Sequence, residues 1–599
     1  MRMRSGLTRL AGLAAALLAA AILGGTAATA AARGSRGLPG SEYPRQFGYV
    51  TMADGTRLAY VAYLPRPKGR FPALLQYDPY VGAGSGPWSQ DAWWPAGMWL
   101  EHGYAVVFAN VRGTGCSQGA FDPFGPREGS DGAALVDWIG AQPWSDRRVG
   151  MIGVSYPGFT QILVAARHPK FLEAITPSAV TASAYGETAY PGGILNVGFV
   201  AEWSLHDQPL FAAMGVKARV AWGDRECKAN YEAHPDPHLF LETRAHPFLD
   251  PWWKLHSLAE YIDRVTVPTF MSGTWQDNAT MSSGITELYG RLKVPRHLSM
   301  SPGGHTAIYA TAALQQQLVQ WMDRWVKGVR NGIERQPPVT VYWESRGYPP
   351  VASWTTHYSA WPPPGTVMQT FRLTQGQTLS PGPPANSATD APGEDKGLSY
   401  TFPTGVELVG DNTQFAVPPD PNGSLTWTSA PLERDLTILG RVQVRFYAAS
   451  ENPDTDFAVD LHDVHPNGDV EYLQQGFLRA SLRAIDRKAS TPDEVVHPYD
   501  RADYLVPGRI YEMEISLPPL GAVLRKGHRL QLVILAPSPI PQPAWGLLPV
   551  SMAGQNTIYA SARYPSEIIV PTIPGAGAGG PEPACGSLAA QPCRAAARR

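Results

Sequence analysis

Hydrophobic and polar residues follow two alternating periods along residues 44–180. Short apolar runs rich in β-branched and aromatic residues, each ended by Pro or Gly, predict strands; they are TRLAYVAYLP, FPALLQYDPY and YAVVFANVRG. The runs EGSDGAALVDWIGAQPW and GFTQILVAARHP instead place their apolar residues at helical spacing. Strands that alternate with helices predict a parallel sheet covered by helices, which is an α/β fold.

The alternation stops at residue 181 and resumes near residue 262. The intervening stretch is irregular and rich in Trp, Tyr, Pro and His, whereas VPTFMSGTW and RHLSMSPGGH again predict strands, followed by the long helix TAALQQQLVQWMDRWVKGV. We therefore predict an α/β core formed by residues 44–180 and 262–335, with residues 181–261 inserted as a cap.

Beyond residue 338 the period changes to short alternating segments separated by turn signals. Examples are GRVQVRFYAAS and HRLQLVILA, and HPNGD between two alternating runs predicts a hairpin. This pattern predicts an antiparallel β-sandwich or jelly roll over residues 338–572. Residues 573–599 form a low-complexity tail, whose GAGAGG follows no strand and opens no helix and so predicts no dinucleotide site.

Residues 1–32 predict a secretory signal peptide. Arginines at positions 2, 4 and 9 precede an apolar run and then small residues, with cleavage expected after Ala30 or Ala32. We therefore expect a secreted protein; the alternative is an uncleaved membrane anchor. No later stretch reaches the roughly 20 apolar residues that span a bilayer, so no membrane association is expected after cleavage.

Composition and cysteine count narrow the class of protein further. Charged residues make up 17% of the 599, and the net charge of -2 provides no basic field for nucleic acid. The even number of cysteines in an exported chain favours disulfides. Cys585 and Cys593 lie close together in the tail and are expected to pair, which leaves Cys116 for Cys227.

A candidate nucleophile lies in GVSYPG, residues 153–158. Ser155 follows a predicted buried strand and precedes a predicted helix, which is the context of a nucleophile elbow. The usual G-x-S-x-G would place glycine at position 157, where Pro157 stands, but proline suits the first turn of a helix and Gly158 follows. The alternative is a serine that caps a strand-to-helix turn.

Ser155 needs a base and an acid that orients the base, in the chain order serine, acid, histidine. Asp277 lies just beyond one predicted strand and His305 lies in the glycine loop after the next. Both positions are C-terminal ends of parallel strands, where active sites of such sheets lie. The rival acid Asp263 precedes its strand and is expected at the opposite end.

The oxyanion of the tetrahedral intermediate also needs donors. One is expected to be the backbone N–H of Tyr156, and the Tyr80 hydroxyl in QYDPYVGAG is a candidate for the second, because no H-G-G-G motif is present. The alternative for Tyr80 is aromatic packing. His234 and His238 without further ligands are weak evidence of a metal site, and the zinc motif H-E-x-x-H is absent. We therefore predict no metal and no cofactor.

These motifs together resemble the cocaine esterase-like (CocE/NonD) serine hydrolases, which are related to α-amino acid ester hydrolases and Xaa-Pro dipeptidyl-peptidases. GVSYPG matches that family's G-x-S-Y-x-G, SGTWQDN resembles its acid segment and DPY resembles its oxyanion segment. SPGGH lacks the tryptophan common before the family's histidine, and Asn110 stands where aspartate is usual. The resemblance implies a Ser155–Asp277–His305 triad, Tyr80 as oxyanion donor, a helical cap and a C-terminal jelly roll.

We therefore predict a secreted serine hydrolase that cleaves ester or amide acyl bonds of small molecules or short peptides through an acyl-enzyme. One alternative is a Xaa-Pro dipeptidyl-peptidase, which needs an acid to bind the substrate amine; the cap offers Glu187, Glu202, Asp207 and Asp224. A second alternative is a glycan-binding protein with an inactive hydrolase fold. The sequence carries no signal for oligomeric state.

Overall fold

Two β-sheets and the helices around them build the part of the chain that the computed structural model describes. The described residues are 43–86, 96–277, 283–305, 311–347, 349–382, 396–403, 422–537, 547, 549–550 and 552–596. The predicted signal peptide, residues 1–32, lies outside them. Among these residues, no helix is both long enough and apolar enough to cross a bilayer.

The first sheet has ten strands in the order β1-β2-β4-β3-β5-β6-β7-β8-β9-β10. The strands are β1 Arg45–Thr51, β2 Arg57–Tyr63, β3 Phe71–Asp78, β4 Ala105–Asn110, β5 Ser145–Val154, β6 Leu172–Ser178, β7 Thr269–Thr274, β8 Arg296–Ser301, β9 Val339–Trp343 and β10 Trp354–Tyr358. Pairing is parallel from β4 to β9 and antiparallel at both ends. The predicted α/β core is therefore present.

Helices cover both faces of this sheet, and further helices lie between β6 and β7. Those of the described residues are α1 Ala96–Glu101, α2 Pro126–Ala141, α3 Tyr156–Ala165, α4 Val197–Glu202, α5 Gln208–Ala221, α6 Arg225–Glu232, α7 Leu239–Ala245, α8 Pro251–Leu255, α9 Ser283–Arg291 and α10 Ala312–Trp325. Successive residues of β3 face opposite sides: Leu75 joins the apolar cluster of α2 and α3, and Leu74 joins that of α10. Burial on both faces explains the continuous apolar runs of the inner strands.

The segment between β6 and β7 is helical, although its sequence is irregular. It contains α4 to α8 and short 3-10 or π-helical turns such as Trp203–Asp207. Side-chain caps start three of its α-helices: the side chains of Asn196 at α4, Asp224 at α6 and Asp250 at α8 each accept from a backbone N–H of the first turn. These helices run for 5 to 14 residues, so most are too short to display a full apolar stripe in the sequence.

The second sheet comprises fourteen strands and forms the C-terminal part of the described chain. Its strands are β11 Val367–Leu373, β12 Thr378–Pro381, β13 Leu398–Phe402, β14 Ser424–Ser429, β15 Leu436–Gly440, β16 Gln443–Ser450, β17 Asp456–Val464, β18 Val470–Arg479, β19 Tyr511–Ser516, β20 Leu520–Leu524, β21 Arg529–Leu535, β22 Gly554–Tyr559, β23 Glu567–Thr572 and β24 Cys593–Arg594. Pairing is antiparallel except between β12 and β14. The hairpin predicted at HPNGD is confirmed, because β17 pairs antiparallel with β18.

Two boundaries differ from the predicted ones. Strands β9 and β10, which the alternating pattern assigned to the second domain, extend the first sheet, where β9 pairs parallel with β8. All five residues of β9 are buried, and a short buried strand has the same pattern in either kind of sheet. The predicted low-complexity tail also continues the fold, because β24 pairs with β18.

Candidate active site

Ser155 occupies a sharp turn between β5 and α3. Its backbone has φ 61° and ψ −130°, a conformation that L-residues rarely adopt, and its N–H donates to the Ser178 carbonyl at 2.9 Å. Helix α3 begins at the next residue, with Pro157 in its first turn as predicted. This strand–serine–helix geometry is that of a nucleophile elbow.

Two glycines make room for this turn. A Cβ at Gly153 would meet Pro157 Cβ at 2.5 Å, and the φ of Gly153 is +144°. A Cβ at Gly158 would meet the Ser178 carbonyl oxygen at 2.6 Å, so the start of α3 rests directly on the end of β6. The glycine at position 158 therefore serves close contact between helix and sheet.

Asp277 and His305 meet at the same edge of the sheet. His305 Nδ1 lies 2.9 and 3.0 Å from the two Asp277 oxygens, in loops that follow β7 and β8. The aspartate side chain is 2% exposed and the histidine 18%, so the pair is mostly shielded while the imidazole still reaches solvent. The rival Asp263 pairs with Arg291 in the turn before β7, remote from this pair.

The Tyr80 hydroxyl lies at the serine. It accepts a hydrogen bond from Trp203 Nε1 at 3.0 Å, and Tyr80 and Ser155 line the same cavity. Burial raises the pKa of the Tyr80 hydroxyl, so it stays protonated at neutral pH and keeps a proton to donate. The structure thus brings Tyr80 to Ser155 and Asp277 to His305, and the Tyr156 N–H lies in the first turn of α3, where helix amides lack helical acceptors.

Asn110 holds the loop that carries Tyr80. Its Nδ2 donates to the Tyr80 carbonyl at 3.0 Å, and its Oδ1 accepts from the Ala83 N–H at 3.2 Å. Asp78 adds a third contact, because its Oδ1 accepts from the Tyr80 N–H at 2.9 Å. An amide can donate and accept at once, which an ionised aspartate cannot, so Asn110 suits this position. The sequence shows Asn110 as a departure from the aspartate usual at this position, but it does not predict this role.

An apolar cavity opens beside Ser155. Aromatic and aliphatic side chains dominate its wall; they include Phe124, Phe159, Phe199, Trp203, Leu239 and Trp252. Phe124 stacks on Tyr156 and on Phe159, with ring centroids 4.5 Å apart in each case. The helical segment between β6 and β7 supplies Phe199, Trp203, Leu239 and Trp252. The wall was not predictable, because these residues show no periodic pattern.

Among the described residues, the acid on this cavity wall is Glu242, in α7. The four acids proposed for the peptidase alternative do not line the cavity in the described residues. Glu187 is buried elsewhere and accepts from the Ala182 N–H at 3.1 Å, and burial raises its pKa. Asp224 forms a buried ion pair with Arg219, and Asp207 contacts His206.

Both expected cysteine pairs are bonded in the structure. Cys116, in the loop after β4, is joined to Cys227 of α6 with a Cα–Cα distance of 4.5 Å, and both are fully buried. Cys585 is joined to Cys593 with a Cα–Cα distance of 5.4 Å. The first bond ties the α/β core to the helical segment that walls the cavity.

A serine at a sharp strand-to-helix turn, with a buried aspartate–histidine pair on later strands of the same parallel sheet, defines the class of α/β-fold serine hydrolases. The model of the X-Pro dipeptidyl-peptidase (S15 family) matches residues 54–307. The model of the X-Pro dipeptidyl-peptidase C-terminal non-catalytic domain matches residues 331–569. Together the two models cover most of the chain.

Curated relatives and a solved structure are consistent with the class of α/β-fold serine hydrolases. A putative serine esterase of Mycobacterium bovis is 27% identical, over 89% of this chain and 97% of that protein. The cocaine esterase of a Rhodococcus species is also 27% identical, over 88% of this chain and 97% of that protein. The structure of a CocE/NonD family hydrolase from Staphylococcus aureus has a TM-score of 0.73 at 20% identity, covering 89% of this chain and 94% of that one.

The chain therefore carries the S15-family X-Pro dipeptidyl-peptidase domain followed by the C-terminal non-catalytic domain of those peptidases, and its relatives include serine esterases. The family resemblance and the prediction of a serine hydrolase are confirmed. The alternative of an inactive, glycan-binding protein is not supported, because the relatives are named as esterases.

Proposed function

We propose that the protein is a secreted serine esterase that acts on esters with a bulky apolar acyl group. In this mechanism His305 removes the proton from Ser155 as the hydroxyl attacks the ester carbonyl, and Asp277 orients His305 and stabilises its charged form. The Tyr80 hydroxyl and the Tyr156 N–H hold the oxyanion, and water releases the acyl-enzyme. No cofactor takes part.

The observation that carries the substrate class is the apolar cavity beside Ser155. Its aromatic wall offers apolar surface but few polar groups, and burying apolar area is worth about 25 cal/mol per Å². A benzoyl or similar acyl group fills such a wall, whereas an acetyl group leaves most of it in contact with water. We therefore expect kcat/KM to rise with acyl size up to a single aromatic ring.

The same proposal assigns roles to the domains. The α/β core carries the triad, the helical segment between β6 and β7 acts as a cap that sets acyl specificity, and the C-terminal strands form a jelly-roll sandwich. Most of the cavity-wall residues come from the cap segment, which supports this assignment. Export through the N-terminal signal peptide belongs to the proposal, and the two disulfides support it.

A fluorophosphonate label and a panel of p-nitrophenyl esters test this function together. We expect labelling of the wild type and of Ser130→Ala, a control at an exposed serine of α2, but not of Ser155→Ala. We also expect hydrolysis of the benzoate ester in preference to the acetate ester. Equal labelling of Ser155→Ala would refute the nucleophile, and a preference for acetate would refute the substrate class alone.

A second candidate activity is removal of Xaa-Pro dipeptides. Glu242 on the cavity wall favours it, because a carboxylate there can pair with the free amine of a peptide substrate. Under this alternative, aminoacyl-prolyl p-nitroanilide is cleaved faster than the benzoate ester, and Glu242→Gln lowers only the peptidase rate. Under the esterase proposal, Glu242→Gln leaves benzoate hydrolysis within about twofold of the wild type.

A further inference from the structure

A cluster of buried histidine and carboxylate side chains lies on the second sheet, separate from the cavity at Ser155. Asp463 is the last but one residue of β17, His465 follows this strand in the hairpin, and His528 immediately precedes β21. Each of the three offers a ligand atom, and these atoms all lie within 4.8 Å of one another. The side chains are between 2% and 8% exposed.

A fourth side chain, Glu582, lies between the two histidines of this cluster. Glu582 Oε1 lies 3.1 Å from His528 Nε2 and 3.5 Å from His465 Nδ1. Tetrahedral zinc with bonds of about 2.0–2.1 Å places neighbouring ligand atoms about 3.3 Å apart. Both distances from Glu582 Oε1 are therefore close to the ligand spacing of a tetrahedral ion.

Each of the two imidazoles has a carboxylate near its second ring nitrogen. Both oxygens of Asp463 lie 2.9 Å from His528 Nδ1, which can donate its proton to them, and Nε2 on the Glu582 side is then the nitrogen that a cation would bind. Glu471 Oε2 lies 3.7 Å from His465 Nε2, on the far side of that ring from Glu582. Metal-bound histidines usually have such a carboxylate partner on the second nitrogen.

His465 also has an unsatisfied buried atom. Among the described residues its Nε2 makes no hydrogen bond of ordinary length; Glu471, 3.7 Å away, is the carboxylate that faces it. A cavity of about 20 Å³ lies among these side chains, which is room for a single ion or water.

The charge of the cluster points to a cation. Asp463, Glu471 and Glu582 bring three carboxylates to the cavity, and the one arginine on its wall, Arg525, is already paired with Glu344. Uncompensated carboxylates are costly where water is scarce. Two imidazoles with carboxylate oxygens form a donor set that suits zinc better than calcium or magnesium.

We propose that His465, His528 and Glu582 bind one divalent cation of the zinc type, with Asp463 and Glu471 orienting the two imidazoles. The half-exposed Glu582 gives the ion a path from solvent and lies in the C-terminal tail next to the Cys585–Cys593 bond. The ion then joins the tail to β17 and β21. Its role is to hold the second domain together, away from the triad.

Zinc titration of the full-length mature protein tests this site. The protein is stripped with dipicolinate, and binding of ZnCl₂ is measured by calorimetry, with metal content by mass spectrometry and melting temperature by scanning fluorimetry. We expect one zinc per chain and a melting temperature that rises with zinc. Stripped, folded protein that binds no zinc overturns the proposal.

Variants locate the ion. Glu582→Gln and His465→Gln are each expected to weaken zinc binding at least tenfold, whereas His238→Gln, at an exposed histidine of the helical segment, leaves it unchanged. Glu582 is half exposed, so its substitution does not endanger folding. Equal zinc affinity in Glu582→Gln, His465→Gln and the wild type, or a melting temperature that responds to pH but not to zinc, refutes the site.

Discussion

At the scale of single residues, Tyr80 is fixed from three sides. Asn110 holds its carbonyl, Asp78 holds its N–H, and Trp203 donates to its hydroxyl. The hydroxyl therefore points at Ser155 before any substrate arrives. A donor that is already in place loses no free energy to reorganisation when the oxyanion forms, which is why such groups affect the chemical step.

Tyr80→Phe is expected to lower kcat about 10²–10³-fold with little change in KM, because the lost donor acts on the developing oxyanion. Steady-state kinetics on p-nitrophenyl benzoate measures this. Tyr342→Phe is the matched control, since this tyrosine lies on β9 and its hydroxyl donates to Gln317 of α10. A loss of less than tenfold in Tyr80→Phe would assign the tyrosine to packing.

Asp78 makes stability depend on pH. Its side chain is buried, and burial raises its pKa to about 6 from an ordinary value near 4. Because the folded state holds the proton more tightly, this group's stabilising effect is complete below about pH 4 and is lost as the pH rises to about 6. Above that range the protein carries an ionised carboxylate in its core.

Asp78→Asn is expected to remove this pH dependence and to raise the free energy of unfolding by roughly 1–3 kcal/mol at pH 7.5. In the wild type Gln76 Nε2 donates to Asp78, and Gln76 Oε1 is buried without a hydrogen-bond partner in the described chain. When the Gln76 amide turns over, its Oε1 can accept from the amide introduced at position 78. Urea unfolding at pH 4 and 7.5 gives the difference between variant and wild type. A difference that does not change with pH would contradict the expectation.

At the scale of elements, the elbow depends on how closely α3 approaches β6. A Cβ at Gly158 would lie 2.6 Å from the Ser178 carbonyl oxygen and 2.8 Å from Val180 Cγ1. The same carbonyl accepts the Ser155 N–H. Any side chain at position 158 therefore pushes on the hydrogen bond that fixes the nucleophile.

Gly158→Ala is expected to destabilise the protein by at least about 1 kcal/mol and to lower kcat, because the clash displaces the turn at Ser155. Gly290→Ala is the control: it lies in α9, exposed, with nothing within 4 Å of its Cβ, and should be neutral or stabilising by up to about 1 kcal/mol. Thermal unfolding and kcat measure both variants. Equal behaviour of the two would exclude close helix–sheet contact as the cause.

Features carried by one local stretch were predictable. The elbow, the loop positions of Asp277 and His305, and the β17–β18 hairpin each follow from a strand and its turn. The sheet to which β9 belongs, the cavity wall and the role of Asn110 depend on contacts between distant segments. The histidine–carboxylate cluster likewise unites residues from 463 to 582, so its ligands show no motif spacing.

At the scale of the whole molecule, the second domain holds the loops of the triad. Gln474 Nε2, on β18, donates to the Trp275 carbonyl at 2.8 Å. The Gln276 side chain donates to the Leu473 carbonyl at 3.0 Å and accepts from the Gly303 N–H at 3.0 Å. One strand of the second sheet thus contacts the acid loop directly and the histidine loop through Gln276.

Gln474→Leu is expected to lower kcat about tenfold and the melting temperature by a few degrees, because it leaves the buried Trp275 carbonyl without this donor. Gln531→Leu is the control on β21, where the side chain donates to Thr428 at 3.1 Å. It should affect the melting temperature without affecting kcat. An unchanged kcat in Gln474→Leu would show that the domain contact does not position the triad.

The buried bond between Cys116 and Cys227 decides how the enzyme has to be prepared. Its two sulfurs are fully buried and lie 111 residues apart in sequence, so the bond must form before the chain closes over it. Production in a reducing cytoplasm would yield a folded chain in which both thiols are buried, and an oxidant added after folding cannot reach them. Periplasmic or secretory expression is therefore the appropriate route to active material.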